Sequence, residues 1–420
     1  MNKLLIGNAM VGQSGGPTAA INATLGGVIR GALANRDRIP QLFGLRNGLE
    51  GLLAERWICL TECFEEQDAL RLLEQTPAAA LGSCRKRLPD PDSAAAEDIA
   101  VYEKIFSIFE KQDVRYFFYI GGNDSMDTVD KLSRYSKKCG YEMCVVGVPK
   151  TIDNDLPLTD HTPGFGSAAK FIATVMQEII RDCAVYTKPA VTVVELMGRD
   201  AGWLTASSAI GRVVNGFEPD LVYLPERVFD MERFFDRVEA CLQKHPNVVV
   251  AVSEGLQFAD GRYVGEGQQS GVADVFGHKY LSGTGKALEL AIKERFGCKV
   301  RSVELNLPQR CAGHLLSRTD IEESVAIGRA AVETALQGIS GVMMVFHRAD
   351  SEEYACEIGY EDISQIANQS RYVPDEFITE GGDHVTDACC AYLLPLIQGE
   401  CDVLYKNGLP VYWTAEGRAE

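Results

Sequence analysis

Residues 114–132 have the sequence VRYFFYIGGNDSMDTVDKL, in which an apolar run ends in two glycines and a polar segment with helical spacing follows. This pattern predicts a buried strand, a tight turn and a helix that Ser125 opens. Gly121 and Gly122 allow a ligand close to the backbone, and a helix start favours an anion. A phosphate site is one interpretation, and an Asx-type turn capped by Ser125 is the other.

The same alternation continues along the chain and predicts parallel sheets connected by crossover helices, so the expected fold class is α/β. The predicted strands are 4–10, 115–120, 143–148, 190–196, 247–252, 300–305 and 342–346, and the predicted helices are 17–34, 125–137, 167–182, 231–243, 284–295 and 319–337. Ligands of such sheets bind beyond the carboxyl ends of the strands. Functional residues are therefore expected at these junctions.

Length and charge limit the classes of function. The chain has 420 residues, which suggests more than one domain, and 41 basic against 59 acidic residues give a net charge of -18. That sign argues against a nucleic-acid or anionic-membrane partner, and no apolar run reaches the roughly eighteen residues that span a bilayer. The 13 cysteines include no C-x-x-C pair, and Cys311 with His314 is too little for structural zinc. We expect a soluble cytoplasmic protein with reduced thiols.

A second glycine-rich turn lies near the N-terminus, where GQSGGPTAAINA spans residues 12–23. The segment before it is interpreted as a first strand and not as a signal peptide, because no small-residue cleavage site follows. Pro17 suits the first position of a helix, so Gly15 and Gly16 would present backbone N–H groups to an anion. A tight turn without a ligand is the alternative.

The segment KTIDNDLPLTD at 150–160 places Lys150, Asp153 and Asp155 within six residues. Two carboxylates beside a lysine suit a general base near a metal-bound phosphate. A solvated, Asp-rich turn is the alternative. In the glycine-rich turn at 121–124, Asp124 is unusual, because its carboxylate would repel an anion bound there.

Basic and acidic residues also follow the later strands. Arg199 comes after the apolar run VTVVEL and is placed to bind a phosphate bidentately, or else to pair with Asp155 or Glu195. Arg301 and Arg310 flank another predicted strand, and Glu254 ends a further one; singly, each is ordinary surface charge. Together, two glycine-rich loops, a lysine with two aspartates and several strand-end cations predict phosphoryl transfer to a phosphorylated polyol.

In their order, these segments resemble the phosphofructokinase family and, within it, the pyrophosphate-dependent branch. The matching segments are SGG (14–16), GSCRK (82–86), GGND (121–124), KTIDND (150–155), MGR (197–199), SEG (253–255) and QR (309–310). TIDND together with MGR is specific, whereas the glycines alone are not. The resemblance covers about residues 4–345. It implies phosphorylation of fructose 6-phosphate at its 1-hydroxyl, with Mg²⁺ as cofactor.

The resemblance also implies a role for each matching residue. Asp153 would be the base, with Lys150 and Asp124 also at the reacting centre and Asn123 at the metal. Donor binding would use Gly15, Arg85, Lys86, Gly122 and Ser125, and substrate binding would use Thr151, Ile152, Asp155, Met197, Gly198, Arg199, Glu254, Arg301 and Arg310. Arg301 would come from a neighbouring subunit, so at least a homodimer is implied.

The family's architecture implies two Rossmann-like three-layer α/β domains with mostly parallel sheets and the active site in the cleft between them. We expect a phosphoryl-donor domain of residues 1–165 plus about 315–375. We expect a sugar-phosphate domain of about 166–314 plus 376–420. Both boundaries are discontinuous because the family's chain crosses between the domains more than once.

Two positions predict the choice of donor. ATP-using relatives carry glycine where this chain has Asp124 and where it has Lys150. A carboxylate about 4 Å from the α-phosphate of ATP, at an effective dielectric near 20, is repelled by roughly 4 kcal/mol. Pyrophosphate avoids this clash because it has no third phosphate. Lys150 can neutralise charge that develops on the transferred group.

Three positions depart from the commoner family pattern. Asn123 replaces an aspartate that helps to hold Mg²⁺, Leu307 replaces a substrate-binding histidine, and Ala190 replaces an arginine from the neighbouring subunit, for which Lys188 is a candidate substitute. An ATP-dependent phosphofructokinase is the nearest alternative, if Asp124 turns away from the donor. NAD kinases and diacylglycerol kinases share only the GG loop. A non-catalytic sugar-phosphate sensor is the alternative from another class.

Overall fold

The computed structural model describes residues 5–64, 67–266 and 283–414. Two sheets of mostly parallel strands, separated along the chain by helices, confirm the α/β class. The helices are α1 (Ile21–Leu33), α2 (Gly48–Leu53), α3 (Leu60–Cys63), α4 (Gln67–Glu74), α5 (Ala96–Lys111), α6 (Asn123–Cys139), α7 (Phe165–Cys183), α8 (Trp203–Ser207), α9 (Gly211–Val214), α10 (Met231–Lys244), α11 (Thr284–Phe296), α12 (Arg318–Leu336) and α13 (Asp387–Leu393).

The larger sheet has seven strands in the spatial order β11-β10-β5-β4-β1-β2-β3. These are β1 (Asn8–Gln13), β2 (Leu42–Leu45), β3 (Trp57–Cys59), β4 (Val114–Gly121), β5 (Cys144–Pro149), β10 (Val342–Arg348) and β11 (Cys356–Asp362). Only the outer pairs β2/β3 and β10/β11 are antiparallel. Alternate residues of β4 enter different cores, since Phe118 packs with α1 and α12, and Phe117 packs with α5 and α6. Helices therefore cover both faces of the sheet.

The smaller sheet has four parallel strands in the order β7-β8-β6-β9. These are β6 (Ala190–Leu196), β7 (Leu221–Tyr223), β8 (Asn247–Ser253) and β9 (Lys299–Glu304). One face packs against α7, α8 and α13, and the other against α10 and α11. A hairpin of β12 (Tyr405–Lys406) and β13 (Leu409–Pro410) follows near the C-terminus.

Close packing of two helices beside the larger sheet depends on glycine. A Cβ atom on Gly27 of α1 would lie 2.1 Å from the carbonyl oxygen of Val325 in α12, and one on Gly328 would lie 2.2 Å from the Thr24 oxygen. Both neighbours are backbone atoms, which cannot move aside cheaply. The contact places α1, and with it the glycine-rich turn before it, against α12.

Most predicted elements are confirmed within two residues, but the N-terminal bounds are wrong. The first strand was predicted for 4–10, of which residue 4 lies outside the described residues; it spans Asn8–Gln13 because Gly12 and Gln13 continue the pairing with β4. Helix α1 begins at Ile21, so Pro17 is not its first residue. The Thr18 carbonyl accepts the Ala78 N–H and is thereby used outside the helix.

The helix that Ser125 was predicted to open begins at Asn123, after Gly122. The Ser125 N–H donates to the Gly122 carbonyl at 2.9 Å, so Ser125 is the third helical residue. The short strands β2, β3 and β7 and the edge strand β11 were not predicted. All cysteines are free thiols. Among the described helices, none has the length and apolar character that crossing a membrane requires.

Candidate active site

Three loops meet beside the carboxyl ends of β1 and β5. Gly15, at φ +78°, follows β1, and the side chain of Lys150, which follows β5, donates from Nζ to the Gly16 carbonyl at 2.6 Å. The loop that carries Arg85 joins them, because the Gly15 N–H donates to the Cys84 carbonyl and Ser83 Oγ donates to the Gly15 carbonyl. The predicted donor-binding segments are therefore adjacent.

Several cations crowd this turn. Burial lowers the pKa of Lys150 to about 8, against the opposing effect of Asp153, and Arg310 and Arg85 lower it further. Burial also lowers the pKa of Arg310, and Arg85 adds to this effect. A Cβ atom on Gly16 would lie 3.2 Å from Arg310 Nη1. Like charges held together in this way favour an anionic ligand.

The two predicted carboxylates lie directly after Lys150. Burial raises the pKa of Asp153, whereas Lys150 and Arg199 act in the opposite direction. Burial raises the pKa of Asp155 to about 7, and Asp153 adds to the shift. The Asp153 N–H donates to Thr151 Oγ1 at 3.1 Å, which fixes the start of the loop. A carboxylate with a raised pKa is suited to accept a proton near neutral pH.

The loops after β6 and β8 interlock opposite these groups. Gly198 has φ +121°, its N–H donates to Glu254 Oε1 at 3.3 Å, and its carbonyl accepts from Ser253 Oγ at 2.6 Å. A Cβ atom on Gly255 would lie 1.8 Å from the Arg199 oxygen. Burial raises the pKa of Glu254 to about 8, and Asp153 contributes to the shift. The strand ends of the two sheets therefore face each other across one cleft.

The remaining predicted residues are distributed as follows. The Met197 N–H donates to Gln309 Oε1 at 3.4 Å, beside Arg310. Ile152 is buried in the core of the smaller sheet, and Lys86 is exposed on the loop of Arg85. Gly122 precedes α6, in whose first turn Ser125 is buried.

The structure does not bring Arg301 into this cleft. Arg301 is exposed on the edge strand β9, opposite Thr192 in the middle of β6. It lines a cavity of about 650 Å³ at the other end of the sheet, together with Lys188 and Ala190. The two positions that the resemblance assigns to contacts with a neighbouring subunit, 190 and 301, thus share one surface away from the cleft.

The surroundings of Asp124 differ from the uncompensated carboxylate that the sequence suggested. Arg87 Nη2 lies 2.6 Å from Asp124 Oδ1, and both side chains are partly exposed. An ion pair is nearly neutral at a distance, so the repulsion of a third phosphate is smaller than the value estimated for a bare carboxylate. Sequence reasoning missed Arg87, although it lies only two residues after Arg85.

Two further residues were missed or were given another role. The side chain of Asn123 makes two hydrogen bonds to the backbone of residues 368 and 369. Arg371 reaches the carbonyl groups of Thr159 and Asp160. No local sequence signal marks these contacts, because more than two hundred residues separate the partners.

Comparison with known proteins agrees with this site. The family model described as Phosphofructokinase matches residues 8–334. The pyrophosphate–fructose 6-phosphate 1-phosphotransferase of Halomonas elongata is 42% identical over 407 residues, which cover 96% of this chain and 94% of that protein. The enzyme of the same name from Methylococcus capsulatus is 42% identical and covers 97% of this chain and 95% of its own.

Solved structures give the same result. The crystal structure of the pyrophosphate-dependent phosphofructokinase from Nitrosospira multiformis matches with a TM-score of 0.86 and 38% identity, over 97% of this chain and 96% of that one. The two-sheet architecture, the loops that meet in its cleft and these relatives all lead to one conclusion: the chain belongs to the phosphofructokinase family.

Proposed function

We propose that this chain transfers a phosphoryl group reversibly from pyrophosphate to the 1-hydroxyl of D-fructose 6-phosphate, giving fructose 1,6-bisphosphate and phosphate. The observation that carries this proposal is the crowding of Lys150, Arg85 and Arg310 at the Gly15–Gly16 turn. A bound diphosphate would relieve the repulsion among these cations. Pyrophosphate is also the donor in the names of the similar proteins described above, which supports the same choice.

In the proposed reaction, Asp153 accepts the proton of the sugar 1-hydroxyl as the oxygen attacks the nearer phosphorus. The new O1–P bond forms while the bridging P–O bond breaks, and the leaving phosphate keeps that electron pair. Lys150 stabilises the charge on the moving phosphoryl group, and Arg85 and Lys86 bind the rest of the diphosphate. Asp124 also lies on the donor side, where its carboxylate would repel the α-phosphate of ATP.

Mg²⁺ fits the same loop. Asp155 is a carboxylate whose ionised form is disfavoured by burial and by Asp153, and a divalent cation with oxygen ligands would stabilise that form. The ion would neutralise charge on the diphosphate oxygens when bound. Asn123 offers one amide oxygen, but this oxygen accepts the Asn368 N–H at 2.5 Å, so the fit of the ion rests on Asp155.

Fructose 6-phosphate would occupy the opposite wall. We assign its contacts to Thr151, Ile152, Asp155, Met197, Gly198, Arg199, Glu254 and Arg310, as the family motif implies. Burial raises the pKa of both Asp153 and Glu254, and Arg199 is close enough to oppose both shifts. The larger sheet would then be the core of the donor domain, and the smaller sheet the core of the sugar-phosphate domain.

We further propose a cytoplasmic homodimer or higher homo-oligomer. Arg301 would complete the sugar-phosphate site of a neighbouring subunit, with Lys188 in place of the arginine that is absent at Ala190. Both basic residues lie on the surface around one cavity, where a second copy can reach them. Arg301→Ala, assayed with sedimentation in parallel, should raise the KM for fructose 6-phosphate without dissociating the oligomer.

The decisive experiment measures fructose 1,6-bisphosphate formation from fructose 6-phosphate and Mg²⁺ with either pyrophosphate or ATP. Turnover with pyrophosphate alone is the expected result. Asp153→Ala should remove most turnover and leave the binding of fructose 6-phosphate intact, and full activity of that variant would refute the base. Binding without turnover in the wild-type protein would favour the sensor.

ATP remains the second candidate donor because Arg87 partly neutralises Asp124. Asp124→Gly should relax the exclusion of ATP if the carboxylate sets donor choice. Unchanged use of ATP by that variant would contradict this explanation.

A further inference from the structure

The segment Asn368–Asp375 crosses from one domain to the other, and we call it the cleft strap. On its N-terminal side, Ile363 and Ile366 are buried in a core of the larger sheet. Val373, within the strap, is buried in a core of the smaller sheet. Only the six residues 367–372 therefore separate the two cores. None of the family motifs lies in this segment.

At its first end the strap is attached to the donor loop. Asn123, the first residue of α6, accepts the Asn368 N–H at Oδ1 and donates from Nδ2 to the Gln369 carbonyl at 2.7 Å. One partner is a donor and the other an acceptor, so only this orientation of the amide satisfies both. A carboxylate could accept but not donate. This requirement explains why asparagine suits position 123.

In its middle the strap is attached to the loop of the proposed base. The Arg371 N–H donates to the Asp155 carbonyl at 2.7 Å, and the guanidinium donates to the carbonyls of Thr159 and Asp160. The same guanidinium lies 4.5 Å over the ring of Trp203. Trp203 is buried and begins α8, shortly after the Met197–Arg199 loop. Arg371 thus contacts both walls of the cleft.

The loop that Arg371 contacts is itself firmly held. Buried His161 bonds to Asp160 Oδ2 at 2.9 Å and to Glu323 Oε2 at 2.7 Å, and Arg348 donates to the same Asp160 oxygen. The bound guanidinium leaves that oxygen unsuited to a metal cation. This cluster therefore acts as an anchor for residues 159–161.

At its last end the strap is attached to the acceptor side. Glu226 Oε1 accepts the Val373 N–H at 2.9 Å and the Gly202 N–H at 2.8 Å, and Arg227 pairs with Asp375 at 3.0 Å. Gly202 lies between Arg199 and Trp203. A continuous series of hydrogen bonds therefore runs from the start of α6 to the loop behind Arg199.

We propose that the cleft strap sets the position of the donor and base loops relative to the acceptor loop, and that Asn123 is a positioning residue that acts through it. The inference rests on the proposed function, since it assigns these loops to donor and acceptor. Small displacements of reacting groups reduce the rate strongly, by up to about a hundredfold per ångström. Loosening the strap should therefore lower kcat more than it changes substrate affinity.

The test compares Asn123→Asp and Asn123→Ala with Asn407→Asp, which makes the same chemical change in the exposed turn between β12 and β13. Hydrogen–deuterium exchange of peptides covering 366–376 is measured beside kcat, KM and Mg²⁺ dependence. Both Asn123 variants should speed exchange of the strap and lower kcat about tenfold, with KM and Mg²⁺ dependence little changed. The control should match the wild-type protein.

Two results would overturn the proposal. The first is that Asn123→Asp leaves hydrogen–deuterium exchange of the strap unchanged and lowers the Mg²⁺ concentration needed for activity. This result would mean that residue 123 binds the metal directly. The other comes from a double-mutant cycle with Arg371→Ala: additive effects on kcat would show that the two residues do not act through one strap. If the wild-type protein is inactive with pyrophosphate, the proposed function fails, whereas the exchange data still report on the strap.

Discussion

The two walls of the cleft are built from the same kind of loop but by different means. On the donor side, which comprises Gly15, Gly16, Arg85 and Lys150, burial and neighbouring cations lower the pKa of Lys150 and of the adjacent Arg310. On the acceptor side, which comprises Met197–Arg199 and Ser253–Gly255, the loops bond to each other through backbone and side-chain groups. The donor side thus depends on charge, and the acceptor side depends on shape.

The largest expected effect comes from removing the central donor-side charge. Lys150→Met should lower kcat with pyrophosphate by about a thousandfold, because the transferred group loses its nearest cation. Steady-state kinetics will measure this, with Lys111→Met as the control, since Lys111 is exposed and pairs with Glu55 far from the cleft. A loss of less than tenfold would show that charge does not dominate the donor side.

Replacing a glycine by alanine on each side of the cleft compares how tightly the two loops are packed. At Gly198 an alanine would have φ +121° and a Cβ 2.6 Å from the Ala201 oxygen, whereas at Gly15 the nearest atom is the flexible Lys150 Nζ at 3.4 Å, with φ +78°. Gly198→Ala should lower the free energy of unfolding by about 3 kcal/mol, and Gly15→Ala by about 1 kcal/mol. Urea denaturation measures both, and equal losses would remove the distinction.

The same two glycines show what the sequence could predict. Gly15 and Gly198 were found because parallel strands bring their carboxyl ends to one edge of a sheet, so a loop after each apolar run is a candidate site. Lys150 and Asp153 follow by the same rule. The start of α1 could not be found this way, because the carbonyl of Thr18 is taken by Ala78, in another loop.

Contacts between distant segments were beyond prediction. Arg371 gave no local signal, since its role depends on Asp155, Asp160 and Trp203, which only the folded chain brings together. Asn123 was interpreted through the family motif, in which its position belongs to the metal. Its partners at 368 and 369 lie outside that motif, so the motif could not reveal them.

The pH dependence of folding stability tests a buried carboxyl group on the acceptor side, that of Glu254. Burial raises the pKa of Glu254 from an ordinary 4.5 to about 8, so between these values the folded protein keeps a proton that the unfolded chain has released. Stability from this group is therefore present below pH 4.5 and is lost as the pH rises towards 8. Glu254→Gln removes the titration.

We expect Glu254→Gln to be more stable than the wild-type protein at pH 8 by at least about 1 kcal/mol, and the difference to shrink at pH 5. Thermal unfolding at several pH values measures it. A constant difference across the series would mean that Glu254 is already ionised in the folded protein. Lys111→Met again provides a variant with no buried titration near the cleft.

The smallest expected effect concerns Arg87, the partner of Asp124. Arg87→Ala leaves the carboxylate uncompensated beside the donor loop, so the KM for pyrophosphate should rise about threefold to tenfold at low salt. The pair is partly exposed, so the free energy of unfolding should change by less than about 1 kcal/mol. Arg329→Ala is the matched control, because Arg329 forms an exposed pair with Glu333 on α12.

The effect of Arg87→Ala should depend on the salt concentration and on the phosphoryl donor. The screening length falls from about 10 Å at 0.1 M salt to 3 Å at 1 M, so the effect of Arg87→Ala on KM should diminish across that range. Residual use of ATP should fall at least as much as use of pyrophosphate, since the uncompensated Asp124 would repel a nucleotide more strongly. If ATP use rises instead, Arg87 itself was excluding the nucleotide, and the donor side would then select by shape as the acceptor side does.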